Sequence, residues 1–462
     1  MRAYGAIVSL VLALAAGCNV MREARIAQKG VEGKAAGEAS ASKSCPDLGG
    51  NLETLVAFAL ENRPSMASAR IAVEDSRLAL KEIASNAPLA SRTPWNAVDA
   101  SASIGHSESS TPAHFKDMKS KTDGSASASL SIDVLLWDFG RNDADYRAQA
   151  ERVLAAELDL VRTGYAVFNE VAAAYFSRLQ EEALLAVAFT NETMRAEHLK
   201  RAEEMLDAGE AQKLDVLRAK LDLAEAEETI VAASNSLVAA EARLANALGL
   251  EASCRKNIVA KPVSLDQTFR AFDDTEFLSE EMYAFARTNA PAMQIARARL
   301  RVASFAVDRA VSDLMPSVSA SFGLNWGDPL WYWRWGVSAA QSLFTGFKKT
   351  TAVERAVAAM DSAAAEVDAA ELDLSLNIEI AINERDNARE AVATALASVH
   401  TAQENFETVR GQFLVGDASR VDFTDAAADY VTALANYIKA FYRGQIAEAK
   451  LFELGGVEPV YE

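Results

Sequence analysis

Two parts of this chain repeat each other, and that repeat limits the possible folds more than any other feature. Leu136-Trp137-Asp138 returns as Leu343-Phe344-Thr345, an offset of 207 residues. Ala208-Gly209-Glu210-Ala211-Gln212-Lys213-Leu214-Asp215 returns at the same offset as Val415-Gly416-Asp417-Ala418-Ser419-Arg420-Val421-Asp422. Two anchors so far apart keep one register, so the segment between them has the same length in both copies. Asn62-Arg63-Pro64-Ser65-Met66 and Asn289-Ala290-Pro291-Ala292-Met293 are instead offset by 227. The first copy therefore carries about twenty extra residues, which fall between Ala87 and Gly124. The copies close alike, at Leu248-Gly249-Leu250 and Leu454-Gly455-Gly456.

Within each copy the order reads helix, two strands, very long helix, glycine turn, long helix. The strands alternate strictly. Ala126, Ala128, Leu130, Ile132 and Val134 oppose Ser125, Ser127, Ser129, Ser131 and Asp133. Val318, Ala320, Phe322, Leu324 and Trp326 oppose Ser317, Ser319, Ser321, Gly323 and Asn325, and a strand from Val98 to Ile104 has the same period. A fourth strand is expected over residues 331–344. Apolar-out, polar-in alternation is what a membrane barrel requires, although a half-buried strand of a soluble sheet has the same period. All six tryptophans (Trp95, Trp137, Trp326, Trp331, Trp333 and Trp335) lie in or beside these strands, where an interfacial girdle would place them. Four strands cannot close a barrel, and an open edge in lipid would leave backbone groups unpaired, so other copies of the chain must complete it.

The helix after the second strand is expected over residues 141–207, on the order of 100 Å at 1.5 Å per residue. Leu154, Leu158, Val161, Tyr165, Phe168, Ala172, Tyr175 and Leu179 alternate steps of four and three, a coiled-coil seam. Val353, Val357, Met360, Ala364 and Val367 do the same in the second copy. Gly209 and Gly416 then reverse the chain into returning helices, giving two long antiparallel hairpins.

At the N-terminus, an apolar stretch from Gly5 to Gly17 is too short to span a bilayer and reads as the core of a signal peptide. It ends in Leu14-Ala15-Ala16-Gly17-Cys18, which resembles a bacterial lipoprotein signal with Cys18 as the lipidated residue. Asn19 after the cysteine favours the outer membrane by the enteric sorting rule. No later segment has eighteen consecutive apolar residues. The net charge of −19 disfavours nucleic acid as a partner. There is no CxxC, HExxH, Walker loop, GxSxG elbow or dinucleotide fingerprint, and the four histidines are scattered. Catalysis, a metal and a cofactor are therefore not expected.

The duplicated Asn-x-Pro entry, the junction Leu136-Trp137-Asp138-Phe139-Gly140-Arg141, the paired glycine turns and the repeat lengths together resemble the TolC family of outer-membrane efflux proteins. The resemblance implies a mainly α chain with membrane β structure, in which four strands per subunit contribute to a trimeric twelve-stranded β-barrel continued by a periplasmic α-helical barrel. It divides the chain into a signal peptide (1–17), a lipidated linker (18–50), a first repeat (51–255), an inter-repeat linker (256–275), a second repeat (276–456) and a tail (457–462). The implied function is passive exit of small molecules from the periplasm in a tripartite system. The partners would be two further copies, a periplasmic adaptor, an inner-membrane pump or secretion ATPase, and outer-membrane lipid. A duct for protein or peptide secretion shares the architecture; a periplasmic coiled-coil adaptor is the reading from another class.

In the family the glycine turns are the periplasmic tip, which makes Ala208, Gly209, Val415 and Gly416 candidates for adaptor contact. Glycine also serves simply to close a helix C-terminus. The family's gate aspartates correspond to Asp422 and Asp425, with Asp215 facing them from the other turn. Spacing i,i+3 places the first two on one helix face, and three copies would ring the constriction with carboxylates whose mutual repulsion raises some pKa values. Two carboxylates on a solvated helix face would look the same. Where some members lock the tip with an aromatic hydroxyl and an arginine, this chain has Phe413 and Ala418, leaving Arg420 and Arg218 as substitutes. Cys45 and Cys254 flank the first repeat, whose ends return to one level of such a duct; a bridge and two free thiols both remain open.

Overall fold

The computed structural model describes residues 48–85, 97–107, 123–209, 212–260, 279–327, 330–415 and 417–455, together with Arg25, Gln28 and Cys45. Cys18, Trp95 and Gly416 lie outside the described residues, as do most of the signal and linker segments. The first repeat runs α1 (Leu52–Asn62), α2 (Pro64–Ser85), β2 (Ala97–Ser107), β3 (Asp123–Trp137), α3 (Arg141–Asp207) and α4 (Lys213–Ala247). It is bracketed by β1 (Leu48–Gly50) and β4 (Ile258–Ala260), which pair in parallel. The second repeat runs α5 (Ser279–Asn289), α6 (Pro291–Ser312), β5 (Ser317–Gly327), β6 (Leu330–Ala340), α7 (Lys348–Val415) and α8 (Arg420–Gly455). The 67 residues of α3 match the 68 of α7, and the 35 of α4 match the 36 of α8, as a constant offset demands.

Local chemistry sets the breaks. A residue before proline is disfavoured in the helical region, so α1 ends at Asn62, Arg63 is extended, and Pro64 opens α2 with its missing N–H at a position that needs none. Pro291 repeats this at α6. Where strand becomes long helix, each copy places two successive residues in the left-handed region: Phe139 (φ 54°) and Gly140 (φ 90°) in the first, Gly346 (φ 61°) and Phe347 (φ 64°) in the second. A left-handed phenylalanine costs about 1 kcal/mol or more. At the first junction the Asp138 carboxylate holds the new helix by accepting from Gly140 N (3.2 Å) and Asn142 N (2.8 Å).

The described chain divides into two units. The first, within Ala79–Gln149 and Ala303–Ala358, contains a four-stranded antiparallel sheet of order β2-β3-β5-β6. Both repeats contribute, β3 pairing with β5, and β2 and β6 are left as open edges. The register sets Ile132, Phe322 and Trp335 in one row, and Leu130, Leu324 and Trp333 in the next. Trp326 and Trp331 pair two residues further along. Direct partners share a face, so this face is apolar throughout these rows. It is also bare: Trp333 is 58% exposed and Trp335 68%. The opposite face carries Ser129, Asn325 and Tyr332, then Ser131, Gly323 and Arg334, and then the Ser319–Ser338 hydroxyl pair at 3.1 Å. The fourth strand stops at Ala340 rather than at residue 344, because the left-handed pair at Gly346–Phe347 begins the turn into α7; Leu343 and Phe344 lie in that junction, exposed.

The second unit comprises Cys45–Leu78, Ala150–Val302 and Ala359–Glu462. Its largest core joins Leu52, Leu55 and Ala59 of α1 to Phe168, Val171, Ala172, Tyr175, Phe176 and Leu179 of α3, with Leu244 and Leu248 and, from α8, Phe441 and Tyr442. The predicted seam of α3 is buried from Phe168 to Leu179, but its earlier positions Leu154 and Val161 are exposed, as is Val357 of α7. Cys45 and Cys254 are joined, their Cα atoms 5.2 Å apart across 209 residues of sequence. Asn257 Nδ2 donates to the Cys45 carbonyl beside the β1–β4 pair. No described helix is long and apolar enough to cross a membrane.

Candidate functional site

The predicted gate and adaptor-contact residues that are described gather at the two turns that close the long hairpins. At the first, Gly209 has φ +79° and nothing within 4 Å of where a Cβ would sit, so conformation rather than space demands glycine. Gln212 caps α4, its N–H donating to Asp215 Oδ2 at 3.2 Å. At the second, the backbone bond from Asp417 N to Gln412 O (2.9 Å) closes α7. Ser419 then caps α8: its N–H and hydroxyl both donate to Asp422 Oδ2 (3.1 and 2.7 Å), and Asp422 N donates back to Ser419 Oγ at 3.2 Å.

Within the chain the Ser419 hydrogen bonds hold the Asp422 carboxyl below the usual carboxylate range. Those bonds favour the charged form, so their support for the turn is present above the ordinary value and is lost as pH falls through the lowered one. Asp425 is exposed one turn further along, and Val415 is exposed at the apex. Asp215 is also occupied, by its cap and by Arg420.

Arg420 supplies the cross-connection that Ala418 cannot. Its Nε lies 3.9 Å from Asp215 Oδ1, and a second guanidinium nitrogen lies 3.8 Å from Asp222 Oδ2. Arg195 of α3 approaches the same Asp222 carboxylate at 4.0 Å. One arginine of the second hairpin therefore faces two carboxylates of the first. Arg218, the other candidate, makes no ion pair among the described residues and is exposed.

Behind the turns lie two small cores at matched positions. In the first hairpin Leu199, Ala202, Leu206, Val216 and Ala219 pack together. The residues 207 further on, Phe406, Val409, Phe413, Phe423 and Ala426, form the second core with Tyr430 and Met194. The offset is maintained, but aliphatic side chains have become aromatic. Phe413 stacks on Phe423 at 4.9 Å, Phe406 on Tyr430 at 5.8 Å, and Arg201 sits over the Phe413 ring at 5.5 Å. Phe413 thus joins this core by ring stacking. His198, which no motif singles out, enters this second core from α3, stacked on Phe423 at 5.5 Å and against Phe413 at 5.8 Å.

Of the predicted interfacial aromatics, Trp326, Trp331, Trp333 and Trp335 occupy one sheet face, whereas Trp137 lies at the strand end, edge-on to Phe139 at 6.0 Å. The strand–helix junction of the second repeat copies that contact with Phe344 and Phe347 at 5.9 Å. No group of metal-binding side chains occurs among the described residues.

Comparison with known proteins gives one consistent result. A family model described as outer membrane efflux protein matches residues 55–250 and 283–457, one match per repeat. No curated protein sequence matches the chain. Among solved structures it is similar to a membrane protein from Pseudomonas aeruginosa (20% identity, 88% of this chain and 93% of that one, TM-score 0.76). It is also similar to the outer membrane protein VceC from Vibrio cholerae (16% identity, 88% and 96%, TM-score 0.73) and to the Campylobacter jejuni outer membrane channel CmeC (17% identity, 89% and 87%, TM-score 0.76).

Proposed function

The chain belongs to the outer membrane efflux protein family, and from that premise we propose that it is one subunit of a trimeric, lipid-anchored exit duct. Its function is that of an outer-membrane efflux channel, and the family it belongs to favours efflux over the secretion duct that shares this architecture. A coiled-coil adaptor has no use for a sheet with one bare tryptophan-rich face.

The observation that carries the assembly is that sheet. Its apolar face is exposed, its other face is polar, and both edge strands are open. Open edges in hydrocarbon are untenable, and three copies of four strands satisfy them while setting the apolar face toward lipid and the polar face toward water. The exposed stretch of the α3 seam, Leu154 and Val161, fits burial against a neighbouring copy. Cys18 would carry the lipid, and the Cys45–Cys254 bond would tie the linker that follows it to the end of the first repeat.

The two turns form the periplasmic end in this reading. Gly209, Val415 and Gly416 would meet a periplasmic adaptor, which in turn engages an inner-membrane pump. Asp425, with Asp422 held by its cap, would present negative charge to the constriction. Arg420, drawn toward Asp215 and Asp222, would hold the second hairpin to the first in the closed state. Cross-linking and end-on imaging of the purified protein should show a three-fold particle whose subunits separate only when the barrel is denatured. A monodisperse monomer in detergent would refute the proposal.

A further inference from the structure

We propose that His198 is a proton-operated wedge at the tip: when it takes up a proton its ring leaves the aromatic core, freeing the ends of α7 and α8 from α3 and opening the duct. The inference rests on the gate reading above and adds its regulation.

The geometry is unusual for a histidine. The residue is 3% exposed, and its Nδ1 is buried with no hydrogen-bond partner among the described residues. A buried polar nitrogen without a partner is costly, and the neutral ring offsets this only by stacking on Phe423 and leaning against Phe413. Those two phenylalanines are the last aromatic residue of α7 and the first of α8, so the imidazole packs against both helix ends that flank the turn. The matched core of the first hairpin has no histidine; its members are aliphatic.

The charges around the ring make protonation unfavourable while it stays in place. From α3, Arg195 is close, and Arg201 lies over the Phe413 ring at 5.5 Å. Glu197, the neighbour on α3, is directed to Arg410 of α7 at 3.4 Å. Asp222 contributes from α4 and Arg420 from α8. Burial pushes the imidazole below its ordinary range; Asp222 opposes this, and Arg420 and Arg195 add to it. Asp222 is itself shared between the two arginines, so it is a poor counter-ion for a third cation. For a base whose closed-state value is depressed, the closed form is fully favoured above the ordinary value of 6.5. It loses ground as pH falls below that value, until the depressed value is reached. A freed imidazolium would also compete with Arg420 for Asp222 and so weaken the connection between the hairpins.

The test uses the full-length assembly in planar bilayers, with conductance read at about pH 7.5 and about pH 5.5, on either side of a free histidine's titration. Wild type should conduct several-fold more at the acidic value. His198→Phe keeps the stacked ring without the proton, and His198→Leu keeps a buried apolar group; either should flatten the response. Arg420→Ala should conduct at both values, which separates the two ideas. If Arg420→Ala conducts and wild type shows no pH response, the histidine proposal is overturned, with no need for a His198 variant. An assembled His198→Phe that follows the wild-type response also overturns it. Silence of both wild type and Arg420→Ala at every pH overturns the gate reading and the histidine proposal with it.

Discussion

Replacing Arg420 by alanine tests the closed tip most directly, and the structure fixes how large the effect should be. The nitrogen–oxygen separations of 3.9 and 3.8 Å exceed hydrogen-bonding range, so the attraction is Coulombic without the gain of directed bonds. Arg420 is 22% exposed, Asp215 37% and Asp222 26%, which leaves water close enough to screen both pairs. Ion pairs of this kind are worth about 0.2–1 kcal/mol each, so two give on the order of 1 kcal/mol per chain. That shifts a closed-to-open ratio about five-fold if subunits move independently. If three move together, on the order of 3 kcal/mol is lost, and the ratio shifts by roughly a hundredfold. Single-channel recording distinguishes the cases: independent subunits give graded substates, concerted ones a single large step. Arg420→Lys should recover only part of the closed state, since one ammonium cannot face two carboxylates as a planar guanidinium does. If Arg420→Ala leaves conductance unchanged while the assembly stays intact, the pairs are surface decoration and the lock lies elsewhere.

Mass spectrometry of the mature N-terminus should find Cys18 acylated, and Cys18→Ser should leave an unacylated chain that still assembles. Thiol counting in the denatured, unreduced mature protein should find Cys45 and Cys254 blocked; their bond closes a loop of 209 residues, for which chain entropy alone sets an upper bound of about 5 kcal/mol, so reduction should lower the melting temperature. Asp422→Ala with Asp425→Ala should reduce cation selectivity and block by divalent cations in bilayers, with both carboxylates contributing, because the Ser419 hydrogen bonds keep Asp422 charged. Glu448→Gln should stabilise the chain at neutral pH but not at about pH 4. Burial raises the Glu448 carboxyl above its ordinary 4.5 against the pull of Arg389 and Arg385, so the cost of its charge appears only as pH rises past 4.5. Equal melting shifts for Glu448→Gln at both pH values would contradict this.

The features legible in the sequence were those that periodicity and repetition encode. The offset of 207 gave the long helices, and residues 141–207 were identified to the residue because Gly140 and Gly209 mark both ends. Strand alternation gave the faces, including the position of Trp326, but not the end of the fourth strand. There the sequence stays apolar through Leu343 and Phe344 while a left-handed pair turns the backbone away. The aspartates of the turns were visible as a spacing, yet their caps were not: Ser419-x-x-Asp422 is a helix-start signature that a gate motif hid. His198 and Asp222 left no trace in any motif, because their roles arise from contacts between α3, α4, α7 and α8 at long sequence separation. The one available signal was asymmetry between copies. His198 has Asn405 as its counterpart, and Arg420 has Lys213.

That asymmetry bears on where the tip moves. Both hairpins keep the same backbone plan and the same small core at matched positions, so neither copy has lost its structural purpose. The first retains Leu199, Leu206 and Val216, flexible aliphatic groups whose packing tolerates small shifts and carries no charge. The second replaces them with Phe406, Phe413 and Phe423, flat rings that stack in one arrangement and lose their contacts together when displaced. A set of contacts that fails together behaves as a two-state element, the property a gate requires and a structural hairpin does not. The same hairpin carries Arg420 and receives the His198 ring from α3. If the tip opens as proposed, the second copy is the moving part and the first its support. Restoring the aliphatic set, with Phe413→Leu and Phe423→Val together, should blur the transition into partial conductance levels; a channel that still switches in one step would show that the rings are packing and the switch is elsewhere.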